Sequence, residues 1–309
     1  MLDEKGILRK LRGLKAKTVL VQMPEGLKAR AAGISDHLSR NGIRSVISVE
    51  PCFGACDLRD KEAKDLGCDA VLHIGHSDFG LKTAVPVIFD EYRVEFDPVI
   101  PLKRGIRKLH PFRAIGLVTT VQHVGSLGKA VEYLRAQGHD VLTGKSKKLK
   151  DGQVLGCDFS SAESIASKVD CFLYMGTGRF HPLGLLERVD KPVFSLDIES
   201  GELHDMTGER DRLLVRKRMR IEKARGLNRF AVFISTKQGQ MSRDSAFRIR
   251  ESLSSIGKDA FIISADTLTP QKIMGMGIEV LVNTACPRIY DDQKSFGIVI
   301  LNPDDIDSL

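Results

Sequence analysis

The sequence predicts an α/β protein of three related, doubly wound units with parallel sheets, arranged around a central site. Three observations predict it. Short aliphatic and β-branched runs alternate with amphipathic stretches along the chain, which requires crossover connections and therefore parallel strands. The order strand, helix, strand, helix, strand, closing strand occurs three times. The closing runs also keep a fixed interval, with Val87, Val193 and Val299 each 106 residues apart. Each unit is long enough for its own core, so the pattern reads as three domains, 1–110, 111–215 and 216–309, and not as a solenoid.

In the first unit, Glu4–Lys17 reads as a basic amphipathic helix and Thr18–Gln22 as a buried strand. Pro24-Glu25-Gly26 breaks that strand, and Ala29–Arg40 reads as a helix stopped by Asn41-Gly42. Arg44–Val49 is a second strand that runs into Glu50–Leu58, a turn holding Cys52 and Cys56. Lys61–Leu66 reads as a short helix, Ala70–Ile74 as a strand, Gly75–Gly80 as a loop, and Pro86–Asp90 as the closing strand.

The second unit repeats this with strand Ile115–Thr119, helix Ser126–Gln137, strand His139–Leu142 and an extra polar stretch, Gly144–Gln153, before Cys157. Helix Ser160–Ser167, strand Cys171–Met175, loop Gly176–Pro182 and strand Pro192–Asp197 follow. The third unit has strand Ala231–Ile234, loop Lys237–Gln240, helix Ser245–Ser254 and strand Ala260–Ile263. It ends with helix Pro270–Met274, strand Glu279–Val282, a loop with Cys286, and strand Gly297–Leu301.

The 309 residues are 42% hydrophobic and 28% charged, a globular composition, and no apolar run reaches the length of a membrane span. The N-terminal residues lack the pattern of a secretory signal, and six cysteines in such a chain do not suggest a secreted disulfide framework. A cytoplasmic location with free thiols is expected. The net charge of +7 is concentrated on Arg210–Arg225, which carries eight basic and two acidic residues. That segment reads as a solvated helix with Leu214, Val215 and Met219 turned inward. No aromatic-rich signature favours nucleic-acid binding.

In open parallel sheets, ligands gather at the carboxyl ends of strands. Cys56 and Cys157 each follow the second strand of a unit, and Cys286 follows the penultimate strand of the third. Cys68 and Cys171 instead sit in or beside apolar runs and read as core residues. Three thiols on related edges suggest a shared metal site with one coordination position open. Two alternatives stay open at this point: apolar packing of these thiols, or a nucleophile in which Cys56 or Cys286 pairs with His76 or His181. Cys52-x3-Cys56 lacks the third cysteine of the conventional radical S-adenosylmethionine motif, because Arg59 stands there. Cys52 reads as a neighbour in the turn rather than a ligand. Arg179, His181 and Gln240 lie on strand-end loops and are expected to contact a cofactor. Walker A and G-x-G-x-x-G spacings are absent.

Several strings together resemble one known family. These are Gly54-Ala55-Cys56-Asp57, Gly152–Asp158, Asn283–Arg288, Gly75-His76-Ser77-Asp78, Gly176–Pro182 and Gln22–Leu27. The sequence is similar to the diphthamide-synthesis enzymes, 2-(3-amino-3-carboxypropyl)histidine synthases, over roughly Val19 to Asp292. The resemblance implies that Cys56, Cys157 and Cys286 ligate a [4Fe–4S] cluster and that S-adenosylmethionine binds the cysteine-free iron. It implies a non-conventional radical transfer of the 3-amino-3-carboxypropyl group to a histidine of translation elongation factor 2. No catalytic side chain beyond the cluster is implied. Expected partners are the elongation factor, an electron-donor protein and a second copy of the chain, as in the archaeal homodimeric type. A quinolinate-synthase-like iron–sulfur dehydratase, a non-catalytic electron carrier or partner subunit, and an RNA-binding module using Arg210–Arg225 are the rival readings.

Overall fold

The computed structural model describes residues 2–78 and 80–309, the side chains of Asp291 and Asp292 excepted, so Met1 and Phe79 of the expected Gly75–Gly80 loop lie outside the described residues. Strands β1 (Thr18–Gln22), β2 (Arg44–Ile47), β3 (Ala70–Ile74) and β4 (Val87–Asp90) form a parallel sheet in the order β2-β1-β3-β4. Strands β5 (Ala114–Thr119), β6 (Asp140–Leu142), β7 (Cys171–Gly176) and β8 (Val193–Asp197) repeat that order, extended by an antiparallel edge strand β9 (Glu202–Asp205). Strands β10 (Arg229–Ser235), β11 (Asp259–Ala265), β12 (Val280–Asn283) and β13 (Val299–Leu301) repeat it again as β11-β10-β12-β13.

The 106-residue interval is a register. Val87, Val193 and Val299 each open the closing strand of their sheet and pair with Val71, Phe172 and Val280 respectively. Alternate residues of each strand feed separate cores on the two faces of the sheet, because successive side chains of a strand point to opposite sides. In the second sheet, Ile115, Leu117 and Leu173 join one cluster while Val118, Phe172 and Tyr174 join the other. Cys171 packs in the first of these and Cys68 beside Leu20 and Val71, so both are core thiols.

A recurring carboxylate starts each unit. Asp69 Oδ2 accepts from the N–H groups of Lys17 and Thr18 at 2.7 and 2.8 Å. Asp170 Oδ2 does the same for Arg113 and Ala114 at 2.9 and 2.8 Å. Glu279 Oε2 does so for Asn228 and Arg229 at 2.9 and 2.8 Å. The residue just ahead of the third strand thus caps the first strand beside it and fixes their register.

Three expectations are corrected. Phe180–Pro182 belong to a helix, Phe180–Arg188, rather than to the preceding loop. Ser160–Ser167 is a single turn of helix, Ser160–Glu163, followed by a 3-10 turn at Ala166–Lys168. The basic helix Glu209–Arg225 exposes Leu214, Val215 and Met219, at 46%, 53% and 66%, instead of burying them. Its inward stripe is Leu213, Lys217, Arg220, Ile221 and Ala224, because the helix bridges two units. Leu213 packs on the second unit's core and Ile221 and Ala224 on the third's, while Lys217 reaches Asp305 at 3.0 Å and Arg220 covers the Tyr290 ring. The helix therefore runs unbroken through the expected division at 215/216.

The three sheets close into a ring. The first and second meet through Gln122 Nε2, which donates to the Gly75 carbonyl at 2.6 Å, and through a Lys150–Glu91 ion pair. The second and third meet through Arg288, 3.5 Å from Glu187 and stacked over the Phe180 ring, and through a Tyr290–Glu187 hydrogen bond. The first and third meet through the ion pair of Asp57 and Lys237, 2.6 Å apart with side chains only 1% and 4% exposed, and through Arg59–Asp266 at 2.8 Å.

Backbone donors hold the carboxyls of Asp69 and Glu279 below their usual range, the Thr18 N–H contributing most to the first and the Arg229 N–H to the second. A depressed carboxyl stabilises the fold above its unfolded pKa, about 4, and loses that contribution as pH falls through the folded value. Asp69→Asn and Glu279→Gln should therefore lower the melting temperature at pH 7, and their melting curves should converge on that of the wild type in acid. Lys237→Met would strand the buried Asp57 carboxylate. Chemical denaturation should show a loss of about 3–5 kcal/mol, and less for Lys237→Met combined with Asp57→Leu.

Candidate metal centre

Each sheet delivers one of the three expected ligand thiols at its carboxyl edge, and the first carries Cys52 there as well. The backbone between Ile47 and Asp60 has neither strand nor helix, and its turn is closed by Asp57 N–H donating to the Gly54 carbonyl at 3.0 Å. Cys157 ends the excursion that leaves β6, returns alongside β5 through Thr119 and Gln153, and turns at Leu155 and Asp158. Cys286 follows β12, where Asn283 Nδ2 donates to the Cys286 carbonyl at 2.8 Å and to Asn302 at 3.0 Å. Pro287 then starts a 3-10 turn, fixing the backbone directly after the thiol.

The first and third units meet at Cys56 itself. Gly239 N–H donates to the Cys56 carbonyl at 3.2 Å, and a Cβ on Gly239 would stand 2.5 Å from the Cys56 Cα. Only glycine permits that approach. Gln240 Nε2 donates to Cys56 Sγ at 3.3 Å. Next door, Lys237 Nζ binds Asp57 and lies 4.9 Å from the centre of the Phe53 ring.

The three thiols lie near enough for their charges to act on one another. Cys56 and Cys286 are half-buried, and Cys157 is exposed. Burial is the largest cause of the rise in all three thiol pKa values. Cys157 is pushed up to about 11, with the charges of Cys56 and Cys286 as the next causes. Cys56 also raises Cys286, against a lowering backbone hydrogen bond at Arg288. Among the described residues, only Cys52, His73 and His76 place three ligand atoms within 4.8 Å of one another. At least one pair among the thiols of Cys56, Cys157 and Cys286 is therefore wider than that.

The three expected cofactor contacts separate. Gln240 sits at Cys56. His181 lies stacked against Tyr174 at 5.7 Å, with its Nδ1 3.3 Å from the Tyr174 hydroxyl. Burial and the nearby Arg288 hold its pKa down at about 4, so it is neutral at physiological pH. Arg179 points elsewhere, 62% exposed and paired with Glu209 at 3.1 Å. A cavity of about 570 Å³, lined in part by Gly156, Arg220, Ala285 and Tyr290, lies beside the Cys157 and Cys286 turns and includes none of the three thiols. Sequence reasoning missed the Asp57–Lys237 pair and the Cys52–His73–His76 group. The signal for the pair was a lysine in the glycine loop after β10, opposite the aspartate next to Cys56.

The sequence profile of the diphthamide synthesis protein family matches residues 23–308. The 2-(3-amino-3-carboxypropyl)histidine synthase of Pyrococcus horikoshii is 36% identical over 98% of this chain and 88% of its own length. Subunit 1 of the human protein of that name is 28% identical over 90% of this chain and 64% of its own length. The crystal structure of Dph2 from Pyrococcus horikoshii superposes with a TM-score of 0.93 at 33% identity, covering all of this chain and 91% of that one. A second crystal structure of that protein, with a 4Fe-4S cluster, gives the same score and identity, covering 90% of that chain. No helix among the described residues is long and apolar enough to cross a membrane. With one thiol on the carboxyl edge of each of three equivalent sheets, and a profile match from Met23 to Ser308, the chain belongs to the diphthamide synthesis protein family.

Proposed function

We propose that this chain transfers the 3-amino-3-carboxypropyl group of S-adenosylmethionine to C2 of a histidine imidazole on translation elongation factor 2, by a non-conventional radical reaction. The observation that supports the reading is that Cys56, Cys157 and Cys286, one from each sheet, lie near enough for their charges to act on one another. The donor set fits a [4Fe–4S] cluster. The three thiols are soft ligands for three irons, and the fourth iron keeps an open position for the substrate. When bound, such a cluster supplies one electron to the sulfonium of S-adenosylmethionine.

The protein's own part is positioning. Burial keeps the thiols protonated until metal displaces their protons, so metal loading is coupled to proton release. Gln240 donates to Cys56 Sγ, a type of hydrogen bond that withdraws charge from a cluster ligand and tunes its reduction potential. His181, neutral and stacked on Tyr174, and Arg288 beside it offer donors for the carboxylate of the methionine moiety. Arg179 would have to leave Glu209 to join them. The geometry has to turn the carbon bonded to sulfur on the methionine side, rather than the ribose side, toward the cluster and within reach of the imidazole. The released fragment is then a 3-amino-3-carboxypropyl radical, with methylthioadenosine as the other product. Addition to C2 must be followed by loss of one proton to solvent and of one electron, for which the oxidised cluster would be the acceptor, to restore the aromatic ring.

The proposal includes three domains, divided near 110/111 and within the bridging helix near 215/216. It also includes a second copy of the chain, an electron-donor protein and a cytoplasmic setting. After anaerobic reconstitution, Cys56→Ala, Cys157→Ala and Cys286→Ala should each lose most of the bound iron and visible absorption, while Cys68→Ala and Cys171→Ala keep them. The reduced wild type with S-adenosylmethionine alone should release methylthioadenosine. Full iron with no cleavage would indicate an electron carrier or a Lewis-acid dehydratase instead, and retention of the cluster by any of the first three variants would overturn the ligand assignment.

A further inference from the structure

Cys52 and His73, both buried, and the half-buried His76 form a group for which the cluster has no use. Cys52 is 3% exposed and His73 fully buried. Cys52 Sγ lies 4.0 Å from His73 Nε2, and His73 Nε2 lies 2.9 Å from His76 Nδ1. The three ligand atoms are all within 4.8 Å of one another. Behind them, His73 Nδ1 is 3.1 Å from Gln22 Oε1.

The hydrogen bonds around Gln22 settle the tautomer. Gln22 Nε2 donates to the Asp57 carbonyl at 2.5 Å, and its Oε1 accepts from the Arg59 N–H at 3.2 Å. The amide oxygen is therefore an acceptor, and His73 must carry its proton on Nδ1. The Nε2 lone pair then points to where Cys52 and His76 converge. That single lone pair faces two possible donors, the Cys52 thiol and the His76 Nδ1–H, and can accept from only one at full strength. A metal ion in that space would satisfy all three groups at once. An oriented imidazole whose other nitrogen donates to an amide oxygen is the usual support of a metal-binding histidine.

We propose that Cys52 Sγ, His73 Nε2 and His76 Nδ1 bind a zinc ion distinct from the cluster, with the fourth tetrahedral position left to water. Two imidazole nitrogens and one thiolate sulfur suit zinc rather than magnesium or calcium, which prefer oxygen. Binding releases the Cys52 proton to solvent and shifts the His76 proton from Nδ1, where it donates to His73 in the metal-free group, to Nε2. Burial holds His73 and His76 near 3 and 4, so both imidazoles are already neutral as ligands must be. Burial and Asp57 push the free Cys52 thiol up to about 12, a barrier that a divalent charge at bonding distance reverses. The ion ties the end of β3 to the turn that holds Cys56, and so orients a cluster ligand from behind.

The site is read by metal analysis and by cobalt spectroscopy. Wild-type protein holding its cluster, treated with zinc and desalted through a chelator, should retain one zinc per chain in addition to the cluster iron. His76→Gln should lose that zinc and keep the iron. In a chain with Cys56→Ala, Cys157→Ala and Cys286→Ala, one equivalent of cobalt should give a thiolate-to-cobalt charge-transfer band that zinc abolishes. Adding Cys52→Ser should remove the band. Absence of retained zinc from the wild type, or zinc unchanged by His76→Gln, would overturn the proposal even if the triple variant fails to fold. A cobalt band that survives Cys52→Ser would overturn it as well.

Discussion

The arrangement depends on one buried ion pair, Asp57 to Lys237. Asp57 is the residue after Cys56, and Lys237 belongs to the loop after β10 in the third sheet. Taking both charges out of water is costly, and burial pushes the Asp57 carboxyl up despite the lysine beside it. A pair of this kind adds little net stability compared with apolar packing. It is better understood as a register device, because only one placement of the Cys56 turn against Lys237 and Gly239 leaves neither charge stranded. Arg59–Asp266 and the Gly239–Cys56 hydrogen bond act along the same seam. The seam between the second and third units carries a looser pair, Arg288 with the partly exposed Glu187.

Much of this was legible in the sequence, for definable reasons. Buried parallel strands are short apolar runs, so their positions followed from pattern, and the common offset of Val87, Val193 and Val299 gave the repeat before any pairing was known. The thiols could be sorted because a cysteine inside a strand, such as Cys171, faces a core, while one beyond a strand end faces an edge. What failed was what depends on neighbours. Leu214, Val215 and Met219 were expected to face inward because apolar residues usually do. The Glu209–Arg225 helix instead spends its inner stripe on Lys217, Arg220, Ile221 and Ala224, since it must bridge two cores and reach Asp305 and Tyr290. Arg179 is a separate case, expected at a cofactor from its place after β7 and paired with Glu209 in this structure. Cys52 was read as a turn neighbour. Its relation to His73 and His76 required knowing that β3 ends directly behind it.

The site's environment is consistent with work that depends on holding groups still rather than on strong acids or bases. His73, His76 and His181 are all held neutral by burial. The thiols remain protonated until a metal takes them. The charged groups nearest to Cys56 are paired with each other across the seam between units, while Asp57 Oδ1 and Arg59 Nε make no hydrogen bond. Such a centre leaves bond-breaking to a bound cofactor and uses the three sheets to set distances and to exclude water.

The central claim is that three thiols hold one cluster and leave one iron to the substrate. The Mössbauer spectrum of the reconstituted protein, taken with and without S-adenosylmethionine, tests it most directly. The account predicts one iron of the four distinguishable from the other three, with that iron alone shifting when S-adenosylmethionine is added. Four equivalent irons unchanged by S-adenosylmethionine would contradict it.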